Sequence, residues 1–415
     1  MLRKLLILGL FGLGAAGAHA ASDYPSGYTK CGQNTGATCS FTGTRRVALG
    51  KAGAFVYGTF TDSVACKSSN FPANSFPASA WCSYAPTVSA SSSSSSLSSS
   101  SSNSITSSSS SNSSSSSTGT ACDLPANLSW TSGQPLISPK NGNASIKDPT
   151  IVNYNGKYHV FASVYNSGYK SAYLNFTDFN AASSATQTSF APGGSSTVAP
   201  QVFYFAPHKK WYLITQWGGR FSTNTDINNV SGWTALKPLL SGEPTNALDF
   251  WVICDDSNCF LFFSRDDGNL YMSKTSVANF PNFSGYKTIM SGPQNILFEA
   301  SNVYKLRGLN KYLLMVEGWQ SGPRIFRAWT SSSLDGPWTA YKTTESAPFA
   351  GLSNVSFPGG KWTSDISHGE MIRSGYDQKM EIDACKMQFM YQGRDPNFSG
   401  DYNLIPYKLG ILTAQ

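Results

Sequence analysis

The sequence predicts an all-β protein: a five-bladed β-propeller catalytic domain preceded by a small disulfide-stabilised β module. Three observations predict it. First, aromatic residues (25 Phe, 20 Tyr, 10 Trp) are as numerous as charged ones (30 Lys or Arg, 23 Asp or Glu). With 37 Gly, that composition favours strands and turns over solvated helices. Second, one apolar strand recurs five times after residue 121, most often at a period of about fifty residues. Third, no segment of useful length carries the periodicity of an amphipathic helix. A β-sandwich is the alternative all-β architecture, but sandwiches do not repeat at this period.

In chain order, residues 1–20 read as a secretory signal. Arg3 and Lys4 form the charged start, Leu5–Leu13 the apolar stretch, and Ala18-His19-Ala20 a small-x-small cleavage site. The apolar stretch is too short to span a bilayer. The expectation is therefore a secreted, extracellular protein with no membrane anchor. The formal charge of +7 is modest for a chain of 415 residues and calls for no nucleic acid. The chain is read as a monomer. Eight Cys in an exported chain favour disulfides over thiol chemistry or metal sites, and none shows zinc-site spacing.

Residues 21–85 form a small module with four Cys (Cys31, Cys39, Cys66, Cys82), too short to rely on a core alone. Two disulfides are expected, and the sequence does not choose among the three pairings. Val47-Ala48-Leu49 and Phe55-Val56-Tyr57 read as strands around Gly50-Lys51-Ala52-Gly53. The ten aromatics here serve either as sugar-binding platforms or as filling for a small core. Residues 86–121 are a linker. Positions 89–117 hold 23 Ser in 29 places and no charge, so nothing there can be buried.

Residues 122–415 carry the repeat. The strands are Lys157–Phe161, Lys210–Ile214, Cys259–Phe263, Lys311–Met315 and Lys386–Met390. A turn precedes each one, and another strand precedes each turn: Pro149–Tyr154, Gln201–Phe205, Phe250–Cys254, Ser301–Lys305 and Met371–Ser374. A polar third strand and a Gly-aromatic close follow, as in Gly232-Trp233, Gly285-Tyr286 and Gly336-Pro337-Trp338. Three to four antiparallel strands, five times over, make a five-bladed propeller. Cys254 and Cys259 flank a four-residue turn and are placed to staple that hairpin. Joining Cys122 to Cys385 would close the ring and remove a very long loop from the unfolded chain, worth roughly 4–5 kcal/mol in the chain-entropy model.

The first strand of each blade lines the channel, so the residues entering those strands share one pocket. In order they are Asp148, Pro200, Asp249, Glu299 and His368. Three carboxyls at equivalent places in a chain only 13% charged are poorly explained as strand caps or surface ion pairs. Their neighbours are apolar, which shifts a carboxyl's pKa or demands a partner. Three convergent carboxyls suit glycoside hydrolysis: one protonates the leaving oxygen, one activates water, and the third tunes the acid. No nucleophile elbow, phosphate loop or zinc-protease motif competes. His159 and His208 are read as structural.

Several segments resemble glycoside hydrolase family 62. They are Ile146–Val152, Tyr212–Gly218, Asp249–Asp256, Phe298-Glu-Ala300, Trp362–Gly369, Tyr391-Gln-Gly-Arg394 and Gly400–Pro406. The resemblance spans Cys122 to the C-terminus and implies an inverting α-L-arabinofuranosidase that removes arabinofuranose side chains from arabinoxylan. It implies Asp148 as general base, Glu299 as general acid and Asp249 as the residue tuning and orienting that acid. For substrate binding it implies Lys147, Trp217, Tyr402 and Asn403. It also places His368 near a calcium ion at the channel centre, a metal the chemistry does not require. A lone His is equally well satisfied by hydrogen bonds, and both readings stay open. Two functional rivals remain. One is a propeller hydrolase of another linkage (arabinanase or β-xylosidase), which arabinan breakdown would reveal. The other is a non-catalytic sugar-binding propeller, against which the intact acids argue.

Overall fold

The computed structural model describes residues 23–25, 28–51, 54–71, 76–85, 121–319 and 321–415. The secretory signal and all but the last position of the Ser-rich linker lie outside the described residues. The chain divides into two compact units, 1–113 and 114–415.

The large unit is built on five blades of antiparallel strands, with short parallel strands added beside them. From the channel outward, blade 1 runs Ser145–Tyr154, Lys157–Tyr165, Tyr169–Phe176 and Thr188–Phe190. Blade 2 runs Val198–Phe205, Lys210–Gln216, Arg220–Asn224 and Lys237–Pro238. Blade 3 runs Leu248–Cys254, Asn258–Ser264, Asn269–Ser276 and Lys287–Ser291. Blade 4 runs Glu299–Leu306, Tyr312–Trp319, Arg324–Ser331 and Thr339–Lys342. Blade 5 takes Ser367–Met371, Gln388–Gly393 and Lys408–Ala414, and borrows Trp130–Ser132 from the start of the unit as its next strand. That borrowed strand closes the ring. The chain's last strand is sealed by one near residue 130, and the Cys122–Cys385 disulfide ties the same ends together.

The second strand of each blade reads as an unbroken apolar run because it is covered on both faces. Phe260, Leu261, Phe262 and Phe263 are each 1% exposed or less. Aromatics carry the packing between blades. Trp233 of blade 2 meets Phe161 and Phe190 of blade 1, and Trp251 of blade 3 meets Tyr304 of blade 4 and donates to the Val303 carbonyl at 2.9 Å. Asn155-Gly156 turns blade 1 with φ of 49° and 74°, the left-handed pair that a two-residue hairpin needs. Cys254 and Cys259 are ladder partners joined by a disulfide.

Two sequence expectations are displaced. The inner strand of blade 5 is Ser367–Met371, not Met371–Ser374. The strand-entry register also slips by one residue in blades 2 and 4, for a reason described with the site. His159 and His208 sit in blade hairpins, each with Nδ1 2.8 Å from a tyrosine hydroxyl. Burial pushes the His159 imidazole down to about 4, so it is neutral at ordinary pH.

The small unit is one four-stranded sheet in the order Thr29–Gln33, Trp81–Tyr84, Thr38–Lys51, Ala54–Ala65. Its disulfides pair Cys31 with Cys39 and Cys66 with Cys82. Val47, Leu49, Cys39, Cys66 and Cys82 are fully buried in its core. Among the described residues, no helix is long and apolar enough to cross a membrane.

Candidate active site

All five inner strands break register at the same place. The ladder slips between Lys147 and Thr150, Val198 and Gln201, Leu248 and Trp251, Glu299 and Asn302, and Ser367 and Gly369. Each is a β-bulge, which kinks the strand and re-aims its side chains. Aligned on the bulge, the equivalent residues are Asp148, Ala199, Asp249, Ala300 and His368. Four of them take positive φ: Asp148 at 50°, Ala199 at 44°, Asp249 at 52° and Ala300 at 51°. Left-handed backbone is uncommon for residues other than Gly, and its recurrence here marks a strain repeated at one level of the ring. The three acids are therefore not in strict register. Asp148 and Asp249 share the bulge position, while Glu299 and Pro200 each lie one residue off it. Glu299 aligns instead with Lys147.

A bulge frees an N–H from the ladder, and that group needs another acceptor. A second ring supplies it. The second-strand partners of the pre-bulge residues are Ser163, Gln216, Ser264, Glu317 and Gln392. Four of these accept the bulge N–H of the next blade. Ser163 takes Ala199 (2.8 Å), Gln216 takes Asp249 (2.6 Å), Glu317 takes His368 (2.6 Å) and Gln392 takes Asp148 (2.7 Å). At the remaining junction the Asp249 carboxylate accepts the Ala300 N–H at 2.8 Å. Asp249 thus holds the backbone immediately after Glu299.

This belt places Asp148, Asp249 and Glu299 on one pocket of about 180 Å³, with Lys147, Trp217, Tyr402 and His368 also in its wall. His368 Nδ1 stands 3.7 Å from Asp148 Oδ1 and 3.8 Å from Asp249 Oδ2. Lys147 is buried and donates to the Tyr169 hydroxyl at 3.0 Å, which in turn donates to Asn403 Oδ1 at 3.1 Å. The Lys147 ammonium also lies 4.9 Å from the Tyr402 ring centre. Trp217 and Tyr402 stand at the mouth, 68% and 56% exposed. The candidate acids and sugar contacts all meet here, though Asn403 arrives only through Tyr169; Pro200 lines the narrower cavity beside this pocket instead.

Four further groups were not legible as site residues. Asp266, in the Asp266-Asp267-Gly268 turn of blade 3, is a fourth carboxyl in the pocket wall. Tyr169 carries the Lys147–Asn403 relay. Arg324 donates to Glu299 at 3.0 Å and to Glu317 at 3.2 Å, and Glu317 is fully buried opposite Glu299 on the ladder. An Asp-Asp-Gly turn was the only available signal for Asp266. Glu317 lies two residues past the apolar repeat run, in the same strand, and an acid there was the available signal.

The electrostatics follow from burial and crowding. Burial pushes the Glu299 carboxyl well above its ordinary range, and Glu317 and Asp249 push it further against the pull of Arg324. A quarter (24%) of its side chain still faces the pocket, so water moderates the size of the effect. Asp249 is raised mainly by burial, with His368 opposing and Asp148 adding to it. Asp266 is raised to about 6 by burial and by Asp249. Burial opposes the charge on Lys147, but Asp148 and Tyr169 outweigh it and its pKa rises. An acid whose pKa is pushed up beside other carboxyls is an arrangement suited to general acid–base work.

Below this pocket the channel narrows to a cavity with room for about one water-sized particle (about 10 Å³), which Asp249 and His368 also line. Among the described residues, no three His, Cys, Asp or Glu side chains converge as a metal cage. Ser301 and Asn302 also line it, and Ser301 Oγ and Asn302 Oδ1 are buried without a hydrogen-bond partner.

Residues 129–413 match the family described as Glycosyl hydrolase family 62. The chain is 58% identical over 299 residues to the α-L-arabinofuranosidase C of Cellvibrio japonicus, covering 70% of this chain and 48% of that protein. It thus spans about half the length of that curated relative. Among solved structures, the catalytic domain of a Coprinopsis cinerea family 62 α-L-arabinofuranosidase is similar at 48% identity and a TM-score of 0.69, covering 70% of this chain and 98% of that one. A family 62 hydrolase in complex with xylotriose is similar at 44% identity and a TM-score of 0.67, over 69% of this chain and 98% of that one.

Proposed function

The chain belongs to glycosyl hydrolase family 62, and from that premise we propose that it is a secreted, inverting α-L-arabinofuranosidase acting on arabinoxylan. The observation that carries the reading is the convergence of Asp148, Asp249 and Glu299 on one pocket, with burial and neighbouring acids pushing the Glu299 carboxyl well above its ordinary range. At about 180 Å³ the pocket is smaller than the roughly 300–1,000 Å³ of drug-sized ligand sites. That suits one pentose side group rather than a length of chain. The exposed Trp217 and Tyr402 at its mouth suit the sugar's outer face and the xylan backbone.

The mechanism is a single displacement. Asp148 takes a proton from water as the water oxygen bonds to the anomeric carbon of arabinofuranose. The glycosidic bond breaks, and Glu299 gives its proton to the departing xylose oxygen. Asp249 fixes the backbone after Glu299 through the Ala300 N–H and keeps negative charge near the acid. Lys147 and Asn403, joined by Tyr169, hold the sugar hydroxyls.

The test is NMR of the first-formed product from arabinoxylan. It should be free arabinose of inverted configuration; retained configuration overturns the inverting reading, and oligosaccharides from linear arabinan favour an endo-acting enzyme. Glu299→Gln should lower turnover on arabinoxylan about 10²–10⁴-fold. It should do much less harm on an aryl arabinofuranoside, whose leaving group needs no proton. Equal losses on both substrates would remove Glu299 from the acid's role.

A calcium ion at the channel centre is a further proposal, and it rests on the orphaned oxygens of Ser301 and Asn302. Hard cations prefer such donors. With Asp249 and His368, which line the same cavity, they would hold the ion. The ion would brace adjoining blades and offset carboxylate charge. Calcium should then raise the melting temperature of chelator-treated protein; no change on adding it would count against a resident ion.

A further inference from the structure

The small unit carries a second charged surface, on the side of its sheet away from the core. Residues paired directly across a sheet point to the same face, as do alternate residues along a strand. Lys30, Ser83, Ala48 and Tyr57 therefore form one row across all four strands. Arg46 and Trp81 lie on the same face, two residues to either side of that row. The opposite face carries Val47, Leu49 and Cys82 into the core. Ala48 and Ser83 form an inaccessible floor, and the Ser83 hydroxyl has no hydrogen-bond partner.

Above that floor the Trp81 and Tyr57 rings each carry a cation on one face. The Lys30 ammonium stands 3.3 Å from the centre of the Trp81 ring, and the Arg46 guanidinium 4.1 Å from that of Tyr57. Tyr28 packs edge-on against Tyr57 at 6.2 Å. Lys30 and Arg46 themselves are exposed. A neutral sugar needs a bare ring to stack on, and these rings are capped. A cation braced on an aromatic still directs N–H donors outward, which suits a carboxylate, and Arg can grip one with two parallel bonds. The charge balance agrees: residues 21–85 contain Lys30, Arg45, Arg46, Lys51 and Lys67 against Asp23 and Asp62, with no Glu. The Trp81 and Tyr57 rings that carry the two cations lie two strands and two residues apart in the sheet, roughly 12 Å at β-sheet spacings. The two cations can therefore engage different sugars of one chain.

We propose that this face binds polysaccharide through uronic-acid carboxylates, so that the small unit selects acidic plant cell-wall chains rather than neutral ones. Glucuronate side groups on xylan and the galacturonate chain of pectin share that chemistry. The test is electrophoresis of the full chain through native gels containing glucuronoxylan or polygalacturonate, each beside its carboxyl-reduced counterpart. Retardation is expected in one or both acidic gels, lost in the reduced gels and at high salt; which gel retards identifies the source. A Lys30→Gln/Arg46→Gln double variant should weaken that retardation about tenfold or more, at an unchanged melting temperature. Its arabinose release from soluble arabinoxylan oligosaccharides should match the parent protein, which keeps this test separate from the propeller's proposed activity. Equal retardation in reduced gels, undiminished retardation of the double variant, or none in either acidic gel overturns the proposal.

Discussion

At the residue scale the site depends on how few charges the sequence has to place. Asp148, Asp249 and Glu299 were legible because acids at strand entries stand out in an apolar repeat. Their exact alignment was not, because a bulge changes the count of residues along a strand without leaving a mark in composition. Asp266 was illegible for a different reason: Asp-Asp-Gly is ordinary turn chemistry, and only the fold turns that Asp inward. Its titration gives a direct prediction. The folded state raises Asp266 from 3.8 to about 6, so it binds this proton more tightly than the unfolded chain. The associated stability is fully present below about pH 3.8 and is lost as pH rises toward about 6. Asp266→Asn, which is neutral throughout, should flatten that part of the profile. Its melting temperature should gain on the parent between pH 4 and pH 7, and a constant difference across that range would refute the assignment.

At the element scale the repeated unit is a bulged inner strand backed by an acceptor on the strand behind it. The apolar repeat strands were legible because burial on both faces forces a continuous hydrophobic run. The acceptor ring was not, since Ser163, Gln216, Glu317 and Gln392 lie in four different strands and serve the neighbouring blade rather than their own. Blade 5 shows how tightly a bulge is built. A Cβ on Gly369 would lie 2.1 Å from the Met390 carbonyl oxygen, so only glycine lets the two strands approach beside His368. Gly369→Ala should cost about 1–3 kcal/mol of stability, the usual range for forcing atoms into a packed site. Denaturant unfolding measures this. A loss within experimental error would mean the two strands are free to part.

At the scale of the whole molecule the ring must be closed, and it is closed twice. Trp130–Ser132 completes blade 5 beside Lys408–Ala414, and Cys122–Cys385 fastens the ends over a separation of 263 residues. Cys122→Ser/Cys385→Ser should lower the melting temperature while leaving activity near that of the parent at low temperature, because neither cysteine lines the pocket. An unchanged melting temperature would show that strand pairing alone holds the ring. The sequence by itself determined the blade number, the strand order within a blade, the two Cys groups and the three acids, since each follows from local periodicity or residue chemistry. Only the tertiary structure decided which residues share a level around the channel, that the first strand of the large unit seals the last blade, and that Glu317, Arg324 and Asp266 surround the candidate acid. Those facts join positions tens to hundreds of residues apart. Their physical cause is the need of every buried N–H and carboxylate for a partner, which a ring of blades meets with whatever lies beside it in space.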